Sequence, residues 1–552
     1  MKILIPKKSG TYADALCAIG YASLLAELRG DSARIEDLGH AYQVTSPNGL
    51  DSDKWKAPSP GYRYIWRKSK EAQRPPGPDV IDYEHEKALA DAAKKASASA
   101  RARNQVSEAL QEVSDAPIAE GSREYRFAAI IESMRKGWSS DQSLYRWIFE
   151  NAATCLTVAR TRLTGGDISL DTEWSNSQLL NPSTGKGVHA AKTIAKSASG
   201  FNLTDTFDEW MKLRGIWASM LAFRSGDDFK MFVISPGDIE VHRLEKLRLE
   251  LRNHGMWGIV RLDIEAALRL LQSLMHHSEF KEDDGIPIKS KRPSQIIRGL
   301  HLAFFKSLGT AAALMNDSLL PLPEWFAVEK GDDVDAYLEI CEEPFGPAKG
   351  KYGPLSALKD DRSDDIELLQ LYRRWLTSGL LLDLLEFHGS FATHLLRKIA
   401  ASEFAPVFRS SILHRLLTKG YSEVIEIIES PGFQNIARAI RNTTIYAAGM
   451  KNSRREIRFG LAQKLKQRIK AGNGEFLAEL SDFVQQQNWE IVHRLKGEGY
   501  QVCDSDLNDI VRLTAKFGAE LVGMLLLAYG FSRADAVDTR EEGNAAAAVI
   551  AS

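Results

Sequence analysis

The sequence predicts an α+β protein: a mixed α/β region over residues 1–365, an all-α helical bundle over 366–535, and a disordered tail over 536–552. Three observations predict it. Short alternating segments such as MKILIP and FKMFVIS, the latter bounded by Gly226 and Pro236, read as strands in the front part. After Asp365 the apolar residues recur at helical spacing in segments separated by Gly, Pro or Ser/Asp caps. Between these regions, Leu320 to Asp365 is acidic and bears Pro and Gly, which reads as a boundary or long connection.

In order along the chain, MKILIP is extended, and TYADALCAIGYASLLAELRG is a helix with Leu16, Ile19, Leu24, Leu25 and Leu28 on its apolar side and Gly30 as its stop. RIEDLGHAYQVTSP alternates as strands do. PGYRYIWRK places Tyr62, Tyr64 and Trp66 on one side of an extended segment. A polar insertion near 70–117 opens with the Pro-rich RPPGPD and continues as the Ala-rich KALADAAKKASASARARNQVSEAL, an exposed helix. The bundle is carried by DIELLQLYRRWLTSGLLLDLLEF, APVFRSSILHRLLTKG and DLNDIVRLTAKFGAELVGMLLLAYGF. The tail VDTREEGNAAAAVIAS has no periodicity. No internal repeat is present.

A chain of 552 residues is long enough for several cores. Its composition, 44% apolar and 26% charged, is that of a globular protein and excludes a fibrous or wholly disordered chain. No apolar run reaches the roughly 18 residues needed to cross a bilayer, and MKILIPKKSG lacks the apolar core of a secretory signal, so a cytoplasmic location is expected. Cys17, Cys155, Cys341 and Cys503 are scattered without a CxxC partner, which argues against a disulfide framework or a structural zinc.

The net charge of −2 hides a segregation. Glu324 to Glu367 holds thirteen acids against five bases, whereas Arg373 to Lys470 holds seventeen bases against seven acids. The peak is IARAIRNTTIYAAGMKNSRREIRFGLAQKLKQRIK, Ile436 to Lys470, with ten Lys/Arg and the single acid Glu456. Solvated surface helices intersperse both signs, so this imbalance points to a polyanionic partner. The competing explanation is that the acidic stretch covers the basic one.

No catalytic or cofactor motif is complete. NPSTGKGVHAAKT resembles a P-loop, yet Leu180 stands where the first glycine is needed and Gly187 where the magnesium-binding hydroxyl is needed. What remains is a polar loop with Asn176, Gln178, Asn181, Thr184 and Lys186, whose amides and single cation suit contact with phosphate and base edges. Arg409 and His414 match an R-x4-H ribonuclease pattern, but no second copy exists. His276 and His277 are adjacent and diverge on a helix, and His388 and His394 are too far apart to share one helical turn. A binding protein without a catalytic site, cofactor or metal is therefore expected over an enzyme. The alternatives are a stand-alone nucleic-acid-processing enzyme with a dispersed active site, and a helical scaffold for an acidic protein.

Within the basic run, QNIARAIRNTTIYA puts Arg438, Arg441 and Asn442 on a helix opposite Ile436, Ala439 and Ile440. After Gly449, NSRREIRFGLAQKLKQRIK repeats Ile457, Leu461, Leu465 and Ile469 every fourth residue and docks by that stripe. Its cations, Lys451, Arg454, Arg455, Arg458, Lys464, Lys466, Arg468 and Lys470, cover most of the remaining circumference. Such repulsion is relieved when a nucleic-acid backbone replaces condensed counterions. A membrane-surface helix would carry more aromatics than the lone Phe459.

Four segments, TYADALCAIGYASLL, NPSTGKG, IARAIRNTTIYA and GAELVGMLLLAYGFSR, resemble the large subunit of type I CRISPR interference complexes (Cascade), in particular its A/B-type branch. The resemblance covers about a tenth of the chain. It implies a non-catalytic subunit of an antiviral defence complex that binds the crRNA 5′ end, recognises the protospacer-adjacent motif (PAM) in target double-stranded DNA and stabilises the opened strands. It further implies contacts with the other Cascade subunits and recruitment of a helicase-nuclease. On this resemblance the polar loop, Asn176 to Lys186, reads the motif, and Arg438, Arg441 and the basic run to Lys470 hold the backbone. The insertion around Asp91 to Glu112 has no counterpart in the family.

Overall fold

A computed structural model describes residues 2–47, 59–102 apart from 69, 71 and 72, residue 131, 139–163, and 206–534 apart from 226–227, 253, 255, 290, 308–311, 347–352, 404, 450–456 and 496–498. The fold is α+β, with strands mainly in the N-terminal half and helices in the C-terminal half. The expected tail, 536–552, lies outside the described residues.

The chain forms two compact units, residues 1–259 with 286–322, and residues 260–285 with 323–552. The expected division at 365 falls inside the second unit. The observed division, between Leu322 and Pro323, lies at the start of the acidic stretch, much of which is a helix, Gly331–Glu342, whose Tyr337 packs on Phe326 at 4.3 Å between ring centroids.

In the first unit, β1 (Lys2–Pro6), β2 (Arg34–Asp37), β3 (Ala41–Thr45) and β8 (Asp238–Glu240) form an antiparallel sheet in the order β1-β3-β2-β8. A second antiparallel sheet, β10-β9-β7-β6, is made of β6 (Met220–Ser225), β7 (Asp228–Pro236), β9 (Ile297–Ser307) and β10 (Ala312–Pro321). In it Phe229 lies opposite Phe305, their rings stacked at 4.7 Å. The short strands β4 (Tyr64–Trp66) and β5 (Val80–Asp82) pair in parallel.

Helix α1 (Tyr12–Arg29) begins where the Thr11 side chain caps the Ala13 amide and ends at Gly30, whose φ of 69° closes the last turn. It packs on α5 (Thr206–Ser219) through reciprocal glycines. A Cβ on Gly20 would meet the Met211 carbonyl oxygen at 1.9 Å, and one on Gly215 the Leu16 carbonyl oxygen at 2.1 Å. Helices α2 (Tyr83–Ala102), α3 (Ser139–Glu150), α4 (Ala152–Leu163) and α6 (Val241–Arg252) also belong to this unit. Tyr62 stacks on Tyr145 of α3 at 4.6 Å, so the Tyr62, Tyr64 and Trp66 segment is buried.

The second unit is helical: α7 (Val260–His276), α8 (Gly331–Glu342), α9 (Ser363–Ser378), α10 (Leu381–Ala400), α11 (Ser410–Gly420), α12 (Pro431–Thr443), α13 (Ile445–Gly449), α14 (Leu461–Ala471), α15 (Asn473–His493), α16 (Asp504–Phe517) and α17 (Ala519–Gly530). Two segments with one continuous apolar pattern are each broken at a glycine of positive φ, Gly379 (66°) between α9 and α10 and Gly518 (86°) between α16 and α17. These breaks turn the chain back on itself, and α9 packs on α10 and α16 on α17. The core is continuous, with Trp375, Phe387, Leu395, Ile436, Leu465, Phe476, Leu513 and Leu525 buried. Cys17 and Cys341 are buried free thiols and Cys503 is exposed.

Candidate nucleic-acid interface

The polar loop residues Asn176, Gln178, Asn181, Thr184 and Lys186 lie outside the described residues, as do Lys451, Arg454 and Arg455. The other predicted contacts separate into two groups.

The first group points inward. Arg441 is 5% exposed and donates from Nη2 to the Tyr529 carbonyl at 3.2 Å. Arg438, half-buried, sits over the Tyr500 ring at 5.7 Å. The two arginines, three residues apart, thus address different neighbours, and Arg441 is not available to a phosphate. Asn442 beside them is half-buried. Arg458 precedes α14 instead of lying on it; its guanidinium donates to the Gln486 side chain, approaches Glu490 at 3.8 Å and covers Phe483 at 5.6 Å. These arginines hold the bundle because a charged donor inside it is bound to carbonyl, carboxylate or ring.

The second group lies on α14. Leu461, Leu465 and Ile469 dock it, as the four-residue repeat predicts, while Ile457 is half-buried ahead of the helix. Off that stripe Lys464, Arg468 and Lys470 are exposed, the first two flanking it on the side of α15 and Lys470 on the side of Lys466. Acids on α15 meet part of this charge: Arg468 pairs with Glu475 at 2.8 Å and with Glu479 at 3.8 Å, and Lys464 lies 4.0 Å from Glu479. Exposed pairs of this kind are weak and exchangeable, about 0–1 kcal/mol each.

Elsewhere the acidic stretch does meet basic residues. Asp333, Glu339 and Glu343 pair with Lys419, Arg415 and Arg409 respectively. Part of the charge segregation is therefore neutralised inside the second unit, although α14 draws its partners from α15. Arg409 is held by Glu343 through both its amide and its Nε, and His414 Nδ1 lies 3.2 Å from the Tyr529 hydroxyl. The two residues of the R-x4-H match face separate partners.

Beside α14 is a cleft of about 390 Å³ that sequence reading missed. Three helical rows line it: Asp364 and Glu367 at the start of α9; Ser390, Thr393, His394 and Arg397 on α10; Gln463, Lys466, Gln467 and Lys470 on α14. Each row has the three- and four-residue spacing of one helix face, a signal present in the sequence but indistinguishable there from any polar face. Lys466 donates to Ser390 Oγ at 2.8 Å. Partial burial, with Lys470 nearby, lowers the Lys466 pKa, so its charge is under-compensated. Arg397 is already paired with Asp364 at 3.0 Å. His394 lies 3.5 Å from Asp365, and burial lowers its pKa.

Among the described residues, no group of three or more His, Cys, Asp or Glu is placed to hold a metal, and no helix is long and apolar enough to cross a membrane. His277 bonds Glu282 at 3.0 Å while His276 is exposed. No protein-family model matches this chain, and no match is found among curated proteins.

Proposed function

We propose that this protein binds nucleic acid without catalysis, as the large subunit of a type I CRISPR RNA-guided surveillance complex. In this reading it holds the crRNA 5′ end, reads the PAM in duplex DNA, steadies the opened strands and recruits a helicase-nuclease. The observation that carries the proposal is the seating of α14: its apolar stripe is buried, which turns Lys464, Arg468 and Lys470 outward on a rigid element. Support also comes from the order of the architecture, a mixed α/β front followed by a helical back, which is that of the family the sequence resembles. Helix-borne cations follow a phosphate backbone without reading bases, so the sequence preference is assigned to the polar loop and to guide pairing.

The test has two arms. Labelled duplex DNA and RNA are titrated with the purified protein over a range of salt, and the protein is co-expressed with a guide RNA and the backbone subunits of such a complex. Salt-dependent binding together with co-purification on the guide is the expected result. Binding that is absent at low salt, or cleavage by the protein alone that is lost in His414→Ala, overturns the proposal.

A further inference from the structure

We infer that the cleft between α10 and α14 seats one nucleotide of a single strand, gripping its phosphodiester between Lys466 and Lys470. The inference rests on the nucleic-acid reading above and deepens it, from a surface that follows phosphates to a subsite that takes a single unit.

Volume is the first reason. About 390 Å³ is the size of a small-molecule site and far more than an isolated phosphate fills. The second reason is the donor set. Lys466 donates to Ser390 Oγ at 2.8 Å, so that hydroxyl accepts from the ammonium and keeps its own proton to donate to a phosphate oxygen. Lys470 enters the same cleft one helical turn along. An anion between the two ammonium groups would offset, by its opposite charge, the lost hydration and the repulsion that depress Lys466. Gln463 and Gln467, one turn apart on the same face, each offer an amide donor and acceptor, which suits a base edge or a sugar hydroxyl.

The third reason is the charge balance, which selects among phosphates. Asp364 and Glu367 form part of the wall, and Asp364 already neutralises Arg397. Glu386, whose charge also acts on Lys466, is taken up by Arg374 at 2.5 Å, so two lysines facing a wall that retains Glu367 match one negative charge better than two. A diester inside a strand carries one, whereas a free nucleotide with a terminal phosphate carries nearly two at neutral pH. A whole base can enter the cleft only from a single strand, because in a duplex it is paired and stacked and offers only its groove edges.

The experiment uses the full-length protein, a fluorescein-labelled dT10 strand, and two competitors: the dinucleotide TpT, which has one diester and no terminal phosphate, and thymidine monophosphate. Lys466→Gln and Lys470→Gln are compared with Arg512→Gln, an exposed cation on α16 that does not line the cleft. Lys470 is exposed, so its variant folds even if the half-buried Lys466 variant does not; thermal unfolding checks both. The expected result is a loss of about tenfold in dT10 affinity for each lysine variant, the scale of one charge-assisted hydrogen bond. Arg512→Gln is expected to have no effect, and TpT to compete better than thymidine monophosphate. If dT10 binds but the Lys470→Gln affinity is unchanged, the subsite is overturned while the wider nucleic-acid reading stands. If thymidine monophosphate competes better, the diester assignment is overturned. If the wild-type protein binds neither dT10 nor duplex at low salt, the reading under Proposed function falls first and the subsite with it.

Discussion

Arg441 donates to the main-chain carbonyl of Tyr529 at 3.2 Å, tying α12 to the last turn of α17 from a position with 5% exposure. The more deeply buried arginine of the IARAIRNTT segment is therefore a structural clamp. Replacing it with methionine is expected to remove a charged hydrogen bond, while the carbonyl keeps the Ser532 hydroxyl at 2.7 Å, costing about 1.5–3 kcal/mol in urea unfolding. The salt dependence of DNA binding should stay at the wild-type slope. A slope that flattens by about one unit would show instead that Arg441 reaches a phosphate.

The α14 surface predicts two opposite effects. Changing Lys464, Arg468 and Lys470 together to alanine should reduce the slope of log K against log salt on duplex DNA by roughly two to three units, at about 0.9 per phosphate contact. Changing Glu475 and Glu479 to glutamine removes the acids that now engage Arg468 and Lys464, and should tighten binding at low salt. Equal slopes and affinities across wild type, triple variant and double variant would mean that α14 and α15 form a self-neutralised, solvated face.

His388 is buried beside Phe387 and Phe408, and burial lowers its pKa to about 3. A folded pKa below the unfolded value of 6.5 means that the unfolded chain takes up the proton first as pH falls. Its contribution to stability is complete above pH 6.5 and declines toward about 3, by up to about 1.4 kcal/mol per pH unit. His388→Leu should flatten the acid limb of the stability profile between these limits. An unaltered limb would place a charge-compensating group beside the ring.

Gly20 and Gly215 allow α1 and α5 to touch backbone to backbone. Either change to alanine puts a methyl against a main-chain carbonyl that cannot rotate away, so each is expected to cost about 3 kcal/mol or more, at or above the usual range for overpacking. Because both changes push the same two helices apart, the double variant should lose less than the sum of the singles, as measured by equilibrium unfolding.

Much of the fold was legible, because local periodicity fixes what an element is. The Thr11 to Gly30 helix, the strands at Lys2–Pro6 and Asp228–Pro236, and the Leu461, Leu465 and Ile469 stripe all follow from spacing and caps. Partnership was less legible. Nothing local to Arg458 or Arg441 reveals that Glu490 or the Tyr529 carbonyl will be beside it, and the Gly379 and Gly518 breaks are hidden within continuous apolar patterns. The cleft was missed for the same reason: its three polar rows are far apart in sequence and acquire meaning only where the helices meet.

The helical unit takes a segment from earlier in the chain, and this gives the last prediction. Arg373 of α9 approaches Asp263 of α7 at 3.0 Å, the Val260 amide donates to Asp360 at 2.8 Å, and Arg269 donates to the Gly346 carbonyl at 2.9 Å. Leu262, Leu270 and Leu274 on α7 are buried, as are Val334 and Ile340 on α8. A fragment starting at Asp365 loses both helices, exposes the faces of α9 and α11 that they cover, and leaves Arg409, Arg415 and Lys419 without their α8-side acids. One starting at Pro323 keeps α8 but lacks α7. Calorimetry on the two fragments, each alone and with an added peptide spanning 260–285, should show no cooperative transition for the Asp365 fragment under either condition. The Pro323 fragment should melt weakly alone and gain a sharper, higher transition with the peptide, since a segment that binds only the folded form stabilises it by mass action. A sharp, peptide-independent transition from the Asp365 fragment would mean that α7 and α8 decorate a bundle already complete without them.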